Sequence, residues 1–169
     1  MNTLPNGALA LLNPPPPLPG NTPGQLRTAQ QVLAFMLGGN ATFTIRSRKT
    51  GARFTYKVRK ADPEPGRGVT WFVNLLNGSD NGNDFAYMGV LYEWEVGKPP
   101  HFKRTKASRV SESAPSFRAF TWLWEALRGG LLSSSVEVWH EGTCGRCGRR
   151  LTVPESIAAG IGPECAGKV

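Results

Sequence analysis

The sequence is poor in the residues and segments on which most enzymes and membrane proteins depend. Its 169 residues include only two histidines and three cysteines, and no apolar run approaches the length of a membrane span. It contains no phosphate-binding loop, no Gly-x-Ser-x-Gly motif and no pair of carboxylates on one predicted face. The N-terminus lacks the charged start and cleavage pattern of a signal peptide. These absences predict a non-enzymatic protein of the cytoplasm that has no membrane segment.

Acidic residues are scarce, and the two signs of charge are unevenly distributed along the chain. The chain carries 20 Lys and Arg against 12 Asp and Glu, a formal net charge of +8. Residues 1–61 contain eight basic residues and no acid, residues 62–97 contain six acids and one arginine, and residues 98–109 contain five basic residues and no acid. Such blocks predict a positive face, which is typical of nucleic-acid-binding proteins, although the charge alone is equally compatible with an ordinary solvated surface.

All three cysteines lie in the C-terminal tail, close to one of the two histidines. The spacing H-x3-C-x2-C-x17-C is formed by His140, Cys144, Cys147 and Cys165. A Cys-x2-Cys pair on a tight turn directs two thiolates to one point, and four N and S ligands form the tetrahedral set of closed structural zinc sites. The odd number of cysteines disfavours a disulfide, and no βαβ unit supports a redox motif. The spacing therefore predicts a structural Zn²⁺ with four protein ligands and no open position for catalysis.

The tail resembles a small zinc-binding family found mostly at the C-termini of bacteriophage and actinobacterial proteins. The resemblance rests on Cys-Gly-Arg-Cys-Gly-Arg-Arg-Leu-Thr-Val-Pro-Glu-Ser-Ile at 144–157 and on Gly-Ile-Gly-Pro-Glu-Cys at 160–165. Two stretches, 71–80 and 87–89, are similar to the region that precedes this tail in phage proteins. The resemblance implies a metal site and a phage origin, hence the cytoplasm of the host. It implies no biochemical activity, because the family has none assigned.

The residues before this tail predict one α+β domain that follows a proline-rich leader. Residues 1–21 include four consecutive prolines, which favour an extended leader that is either a ligand for an aromatic groove or a plain extension. In residues 22–135, apolar residues recur at helical spacing near each end, and apolar and polar residues alternate in the stretch between. This pattern predicts an antiparallel sheet of four to five strands packed with two helices. Residues 136–169 form the small C-terminal zinc-binding module.

Local signals predict where the helices begin and end. Thr22 is the expected N-cap of the first helix, since Pro23 follows it at the first helical position. The second helix is expected to begin at Pro115, and the paired glycines that follow residue 128 should end it. Within the zinc-binding module, Thr152 and Glu155 have the spacing of a capping box around a short helix.

One predicted β-hairpin has an apolar face and a basic face. Apolar residues alternate with threonines and basic residues through 43–59, so the apolar set is expected to face the core. The opposite face and the loop carry six basic residues: Arg46, Arg48, Lys49, Arg53, Lys57 and Arg59. Two further basic clusters complete the predicted phosphate-contacting set; they are Lys103, Arg104 and Lys106 before the second helix, and Arg146, Arg149 and Arg150 in the zinc-binding module. A half-buried hairpin with a merely soluble outer face has the same pattern.

Three functions are compatible with these features. The first is nucleic-acid binding through the basic hairpin and the zinc-binding module, with exposed aromatics of the strands stacking bases. The second is a protein-interaction module, such as a phage inhibitor of a host enzyme or defence complex. The third is a structural accessory protein in which zinc only holds the fold. The expected partner is thus nucleic acid or a host protein complex, and the sequence leaves the oligomeric state open.

Overall fold

One antiparallel sheet forms the centre of the protein in this computed structural model, which describes residues 24–80 and 82–167. Its seven strands are β1 Gln25–Leu26, β2 Asn40–Ser47, β3 Arg53–Lys60, β4 Thr70–Leu76, β5 Phe85–Tyr92, β6 His101–Lys103 and β7 Val136–His140, in the spatial order β1-β7-β2-β3-β4-β5-β6. Four helices accompany them: α1 Ala29–Met36, α2 Pro115–Arg128, α3 Pro154–Ala159 and α4 Pro163–Ala166. The prediction of a mainly antiparallel sheet with helices is confirmed, but the counts of four to five strands and two helices were too low. The predicted leader, 1–21, lies outside the described residues.

The core lies on one face of the sheet, under α1 and α2. Alternate residues of β2, β3 and β4 point to this face and are buried, as the period of two along the sequence predicts. The rings of Tyr56 on β3 and Phe120 on α2 lie 5.2 Å apart. The Tyr56 hydroxyl donates a 2.6 Å hydrogen bond to the carbonyl of Ser116. No helix among the described residues is long and apolar enough to cross a membrane.

The helix ends agree with the sequence at α2 but not at α1 or α3. The α1 helix begins after Thr28, whose side chain accepts from the Gln31 amide at 3.1 Å, and not after Thr22, which lies outside the described residues. The residues expected in its first turns instead form β1. At α3 the N-cap is Val153, so the predicted capping box at Thr152 was wrong. Pro154 occupies the first helical position and keeps the preceding residue extended, which leaves Thr152 one residue too early.

The C-terminal part of the chain contributes an inner strand to the sheet. Strand β7 lies between β1 and β2, with Val138 opposite both Leu26 and Ile45. Residues 136–140, which the sequence assigned to the zinc-binding module, therefore belong to the sheet as well. This pairing buries Val136 and Val138 in the core and leaves His140 at the strand end, where the metal-binding tail begins.

The pairing of β7 with β2 also buries one of the predicted nucleic-acid contacts. Arg46 lies directly opposite Glu137, and its guanidinium is 3.4 Å from that carboxylate. Both side chains are less than a tenth exposed, and the Nε atom of Arg48 lies 3.2 Å from the same carboxylate. The prediction that Arg46 lies on an exposed face was wrong, because the acid that pairs with it lies 91 residues away along the chain.

We predict that Arg46→Gln destabilises the protein whereas Arg59→Gln does not. The first change leaves Glu137 buried with only the half-exposed Arg48 as its counter-charge, and breaking a buried pair costs about 3 kcal/mol of unfolding free energy. The second removes an exposed charge on the next strand and should change stability by less than about 0.5 kcal/mol. Urea unfolding of both variants against wild type measures the difference; equal unfolding free energies would contradict the buried pair.

Candidate metal centre

A small hairpin after β7 carries the first two cysteines. Its arms are joined by hydrogen bonds from the Leu151 amide to the Gly142 carbonyl at 2.7 Å and from the Cys144 amide to the Arg149 carbonyl at 2.8 Å. At the tip the Gly148 amide donates to the Cys144 carbonyl, and Gly148 has a φ of +75°, which favours glycine. This tight turn places the side chains of Cys144 and Cys147 on the same side, as the Cys-x2-Cys spacing predicts.

The third cysteine returns to this turn through two short helices. Helix α3 ends at Gly160 in the left-handed conformation, and α4 then presents Cys165. The sulfurs of Cys144, Cys147 and Cys165 all lie within 4.8 Å of one another. Two sulfurs bound to one tetrahedral zinc ion lie about 3.8 Å apart, given zinc–sulfur bonds of about 2.3 Å. The three cysteines are thus arranged so that they can hold a metal ion.

Backbone amides favour the thiolate form of Cys144. Burial raises the pKa of this thiol, but N–H groups of Gly162, Cys147 and Arg146 directed at the sulfur outweigh burial and bring the pKa down to about 7. The Gly162 and Arg146 amides lie 3.3 and 3.4 Å from the sulfur. Burial, followed by the neighbouring sulfurs of Cys147 and Cys144, raises the pKa of Cys165. A cation among the sulfurs would relieve this mutual repulsion, which is why such clusters bind metals as thiolates.

His140, the fourth predicted ligand, is not part of this group of sulfurs. Its Nδ1 atom accepts from the Gly142 amide at 3.0 Å, and its Nε2 atom lies 2.5 Å from the Ile157 carbonyl. These partners assign the proton to Nε2, so the ring is neutral and donates to Ile157; burial lowers its pKa, which favours the same form. Three members of the expected four-residue ligand set therefore converge, whereas the ring of His140 ties the end of β7 to α3.

Two glycines allow the cysteine hairpin to pack against α1, a feature that the sequence analysis missed. A Cβ atom on Gly145 would lie 2.6 Å from the ring of Phe35, and one on Gly160 would lie 2.7 Å from the same ring. The Gly145 amide donates to the Gly160 carbonyl at 2.9 Å. Any larger residue would push the hairpin away from the helix. The glycines around the cysteines are the sequence signal for such a close approach. The sequence does not reveal that the approaching group is the ring of Phe35, because α1 is distant along the chain.

Asn40 at the start of β2 connects the cysteine hairpin to the basic strand β3. Its amide donates to the Gly145 carbonyl at 2.7 Å, and its side chain lies against Gly148. On its other side Asn40 is paired with Arg59 in the sheet. The tip of the hairpin therefore lies beside the end of β3 that carries Arg59.

The other predicted nucleic-acid contacts differ in exposure and in the groups that they contact. Arg53 and Arg59 on β3 are exposed, and the Nζ atom of the half-buried Lys57 lies 4.4 Å from the centre of the Phe85 ring. Among the connecting residues, Arg104 is half-buried and donates to the Val110 carbonyl, so it supports a loop. The remaining exposed residues of the predicted set are Lys49 beside Arg48 at the β2–β3 turn, Lys103 and Lys106 around β6, and Arg146, Arg149 and Arg150 on the hairpin.

We predict that one metal ion binds per chain, and that Cys147→Ser loses it whereas His140→Gln keeps it. Cys147 supplies one of three converging sulfurs, while His140 uses both ring nitrogens in hydrogen bonds to the protein. Elemental analysis of protein purified without chelator gives the stoichiometry, and a thermal melt should show that His140→Gln lowers stability without releasing metal. Metal loss in His140→Gln with retention in Cys147→Ser would contradict this assignment.

Comparison with known proteins identifies only the tail. No curated protein and no solved structure matches the chain. Residues 138–169, which contain His140 and all three cysteines, match the model of a family of unknown function, DUF6011. The resemblance of the C-terminus to a family without assigned activity is thus confirmed, whereas the phage or actinobacterial origin stays a prediction.

Proposed function

We propose that this protein binds nucleic acid without catalysing a reaction, and that a structural Zn²⁺ on Cys144, Cys147 and Cys165 holds its C-terminal module in place. The observation that carries the proposal is the open face of the sheet, the face opposite α1 and α2. Strand β3 directs Arg53, Lys57 and Arg59 to it at alternate positions. Arg53 and Arg59 are six positions apart, so at about 3.4 Å per residue the charges extend about 20 Å, which is enough to follow several phosphates.

The charges on the open face are nearly all of one sign. Within the described strands β2 to β7, the only acid that points to this face is Glu137, which is buried and paired with Arg46 and Arg48. Asp62 and Glu64, in the loop between β3 and β4, lie at its edge. The tip of the cysteine hairpin, which includes Arg146, lies beside the end of β3, because the Asn40 amide binds the Gly145 carbonyl and Asn40 is paired with Arg59. A surface of this charge attracts phosphates by releasing their counterions.

A structural role for the metal agrees with the packing of the cysteine hairpin. Thiolates are preferred ligands of zinc, and the hairpin lies against Phe35 and Asn40 of the sheet domain. The surroundings offer little for catalysis, since both ring nitrogens of His140 are hydrogen-bonded and Glu164 is paired with Arg149 at 3.4 Å. The proposal places the protein in the cytoplasm, of the bacterial host if it is encoded by a phage.

The second candidate function is a protein-interaction module, such as a phage inhibitor of a host enzyme or defence complex. It is favoured by the segment between β5 and β6, where Trp94 is 77% exposed and Val96 is 97% exposed. Exposed aromatics of this kind can anchor protein interfaces. The two functions differ in their dependence on salt and on the charges of β3.

We predict that the double change Arg53→Gln with Arg59→Gln weakens nucleic-acid binding at low salt and flattens its salt dependence. If each arginine contacts a phosphate, the slope of log K against log salt should decrease in magnitude by about 1.5 to 2. The matched control removes two exposed charges elsewhere, Lys98→Gln with Arg118→Gln, and should leave the slope nearly unchanged. Labelled DNA and RNA are titrated at several salt concentrations. If the wild-type protein binds none of them at low salt, the protein-interaction function replaces this proposal.

A further inference from the structure

The open face of the sheet carries aromatic rings among its basic residues. The pairing of β3, β4 and β5 brings Arg59, Phe72 and Val90 into one row across this face, and Lys57, Asn74 and Tyr87 into the next. Phe72 is 43% exposed although it lies on an inner strand, and its ring is 6.4 Å from that of Tyr87. An aromatic surface flanked by cations thus lies in the middle of the face.

A groove beside Phe72 extends this surface. It has a volume of about 450 Å³ and lies between β4, β5 and the loop that joins β3 to β4. Phe72 and Tyr92 contribute aromatic walls, Lys60 and Arg67 contribute positive charge, and Asp62 contributes negative charge. Glu64 also lines the groove, but its carboxylate is 3.1 Å from Arg67. The charges of the groove lining therefore balance, so the groove offers flat apolar surface for a base, and the positive charge for its phosphates comes from Lys57 and Arg59 on the neighbouring strand β3.

We infer that this face binds single-stranded nucleic acid, with one base stacked on Phe72 and the adjoining phosphates contacted by Lys57 and Arg59. The inference rests on the proposed nucleic-acid binding and specifies its substrate class. In a duplex the faces of the bases are stacked on one another, and a broad sheet meets only the backbone and groove edges. A single strand exposes its base faces, and open sheets with aromatic residues between cations bind such strands by stacking. A duplex exposes no base face along its length on which the ring of Phe72 could stack.

The test compares Phe72→Leu, which removes the ring but keeps an apolar side chain, with Phe72→Trp, which keeps a stacking ring. Fluorescein-labelled 15-nucleotide single strands of DNA and RNA with the same mixed sequence, and the corresponding DNA duplex, are titrated against each protein. Phe72→Leu should bind the single strands about tenfold more weakly, since stacking on one ring contributes roughly that factor. Its salt slope should equal that of wild type, because no charge is lost. Phe72→Trp should bind within about threefold of wild type.

Two controls separate loss of stacking from loss of structure. Leu131→Ala removes another exposed apolar side chain, located after α2, and should leave binding unchanged. If Phe72→Leu fails to fold, the fluorescence of Phe72→Trp tests the stacking site instead. Addition of the unlabelled single strand should quench the emission of the new tryptophan, so the total emission should fall more than that of wild type. Absence of that quenching, with binding intact, would overturn the stacking site.

The outcomes distinguish this inference from the proposed function. Single-strand binding that is weakened by Phe72→Leu, with unchanged duplex binding, supports the stacking site, and the two single strands show whether it prefers ribose or deoxyribose. If Arg53→Gln with Arg59→Gln weakens binding but Phe72→Leu does not, or if the duplex binds more tightly than either strand, the stacking site is wrong and nucleic-acid binding stands. If wild type binds none of the three probes, both proposals fail together.

Discussion

The insertion of β7 between β1 and β2 is the interaction on which the rest of the structure depends. It joins β1, near the start of the described chain, to β2 through residues 136–140 and places Val136 and Val138 in the core. It also forms the buried ion pair of Glu137 with Arg46, and it places His140 at the strand end from which the cysteine tail begins. A pairing between residues so distant in sequence costs loop-closure entropy, which must be offset by the buried apolar surface that it creates.

The cysteine tail is too short to form a core of its own. Residues 142–167 bury few large side chains, so their stability depends on contacts with the sheet domain, and a metal ion held by the three sulfurs would add to it. Gly145 and Gly160 against Phe35, and His140 against Ile157, hold the hairpin in place from two sides. The position of the arginines on the hairpin therefore depends on the same packing as the position of the sulfurs, which links metal binding to the proposed nucleic-acid surface.

The two faces of the sheet have different roles because only one of them is covered by helices. The face under α1 and α2 is filled by large apolar residues, among them Phe43, Tyr56 and Trp124. The other face carries threonines, cations and aromatic rings, arranged in rows by the strand register. One sheet thereby provides both the stability of the fold and the broad, open surface to which we assign nucleic-acid binding.

The sequence by itself determined those features that depend on local spacing. The period of two along 43–59 predicted the hairpin, the stripe and end signals around Pro115 predicted α2, and the spacing of Cys144, Cys147 and Cys165 predicted that their sulfurs converge. A helix and a strand each have a fixed repeat and a tight turn has a fixed length, so the spacing of residues that are close in sequence is enough to predict them. Strand β1, in contrast, lies where the sequence predicts part of the first helix.

Only the tertiary structure decided which partner each polar side chain meets. The spacing of His140 is compatible with a metal ligand, but the Gly142 amide and the Ile157 carbonyl occupy both ring nitrogens. Arg46 belongs to the same alternating pattern as Arg59, yet one faces a buried glutamate on β7 and the other faces solvent. Alternation assigns a residue to a face of its strand, but the residue's exposure depends on the strand that pairs alongside, and that strand comes from a distant part of the chain.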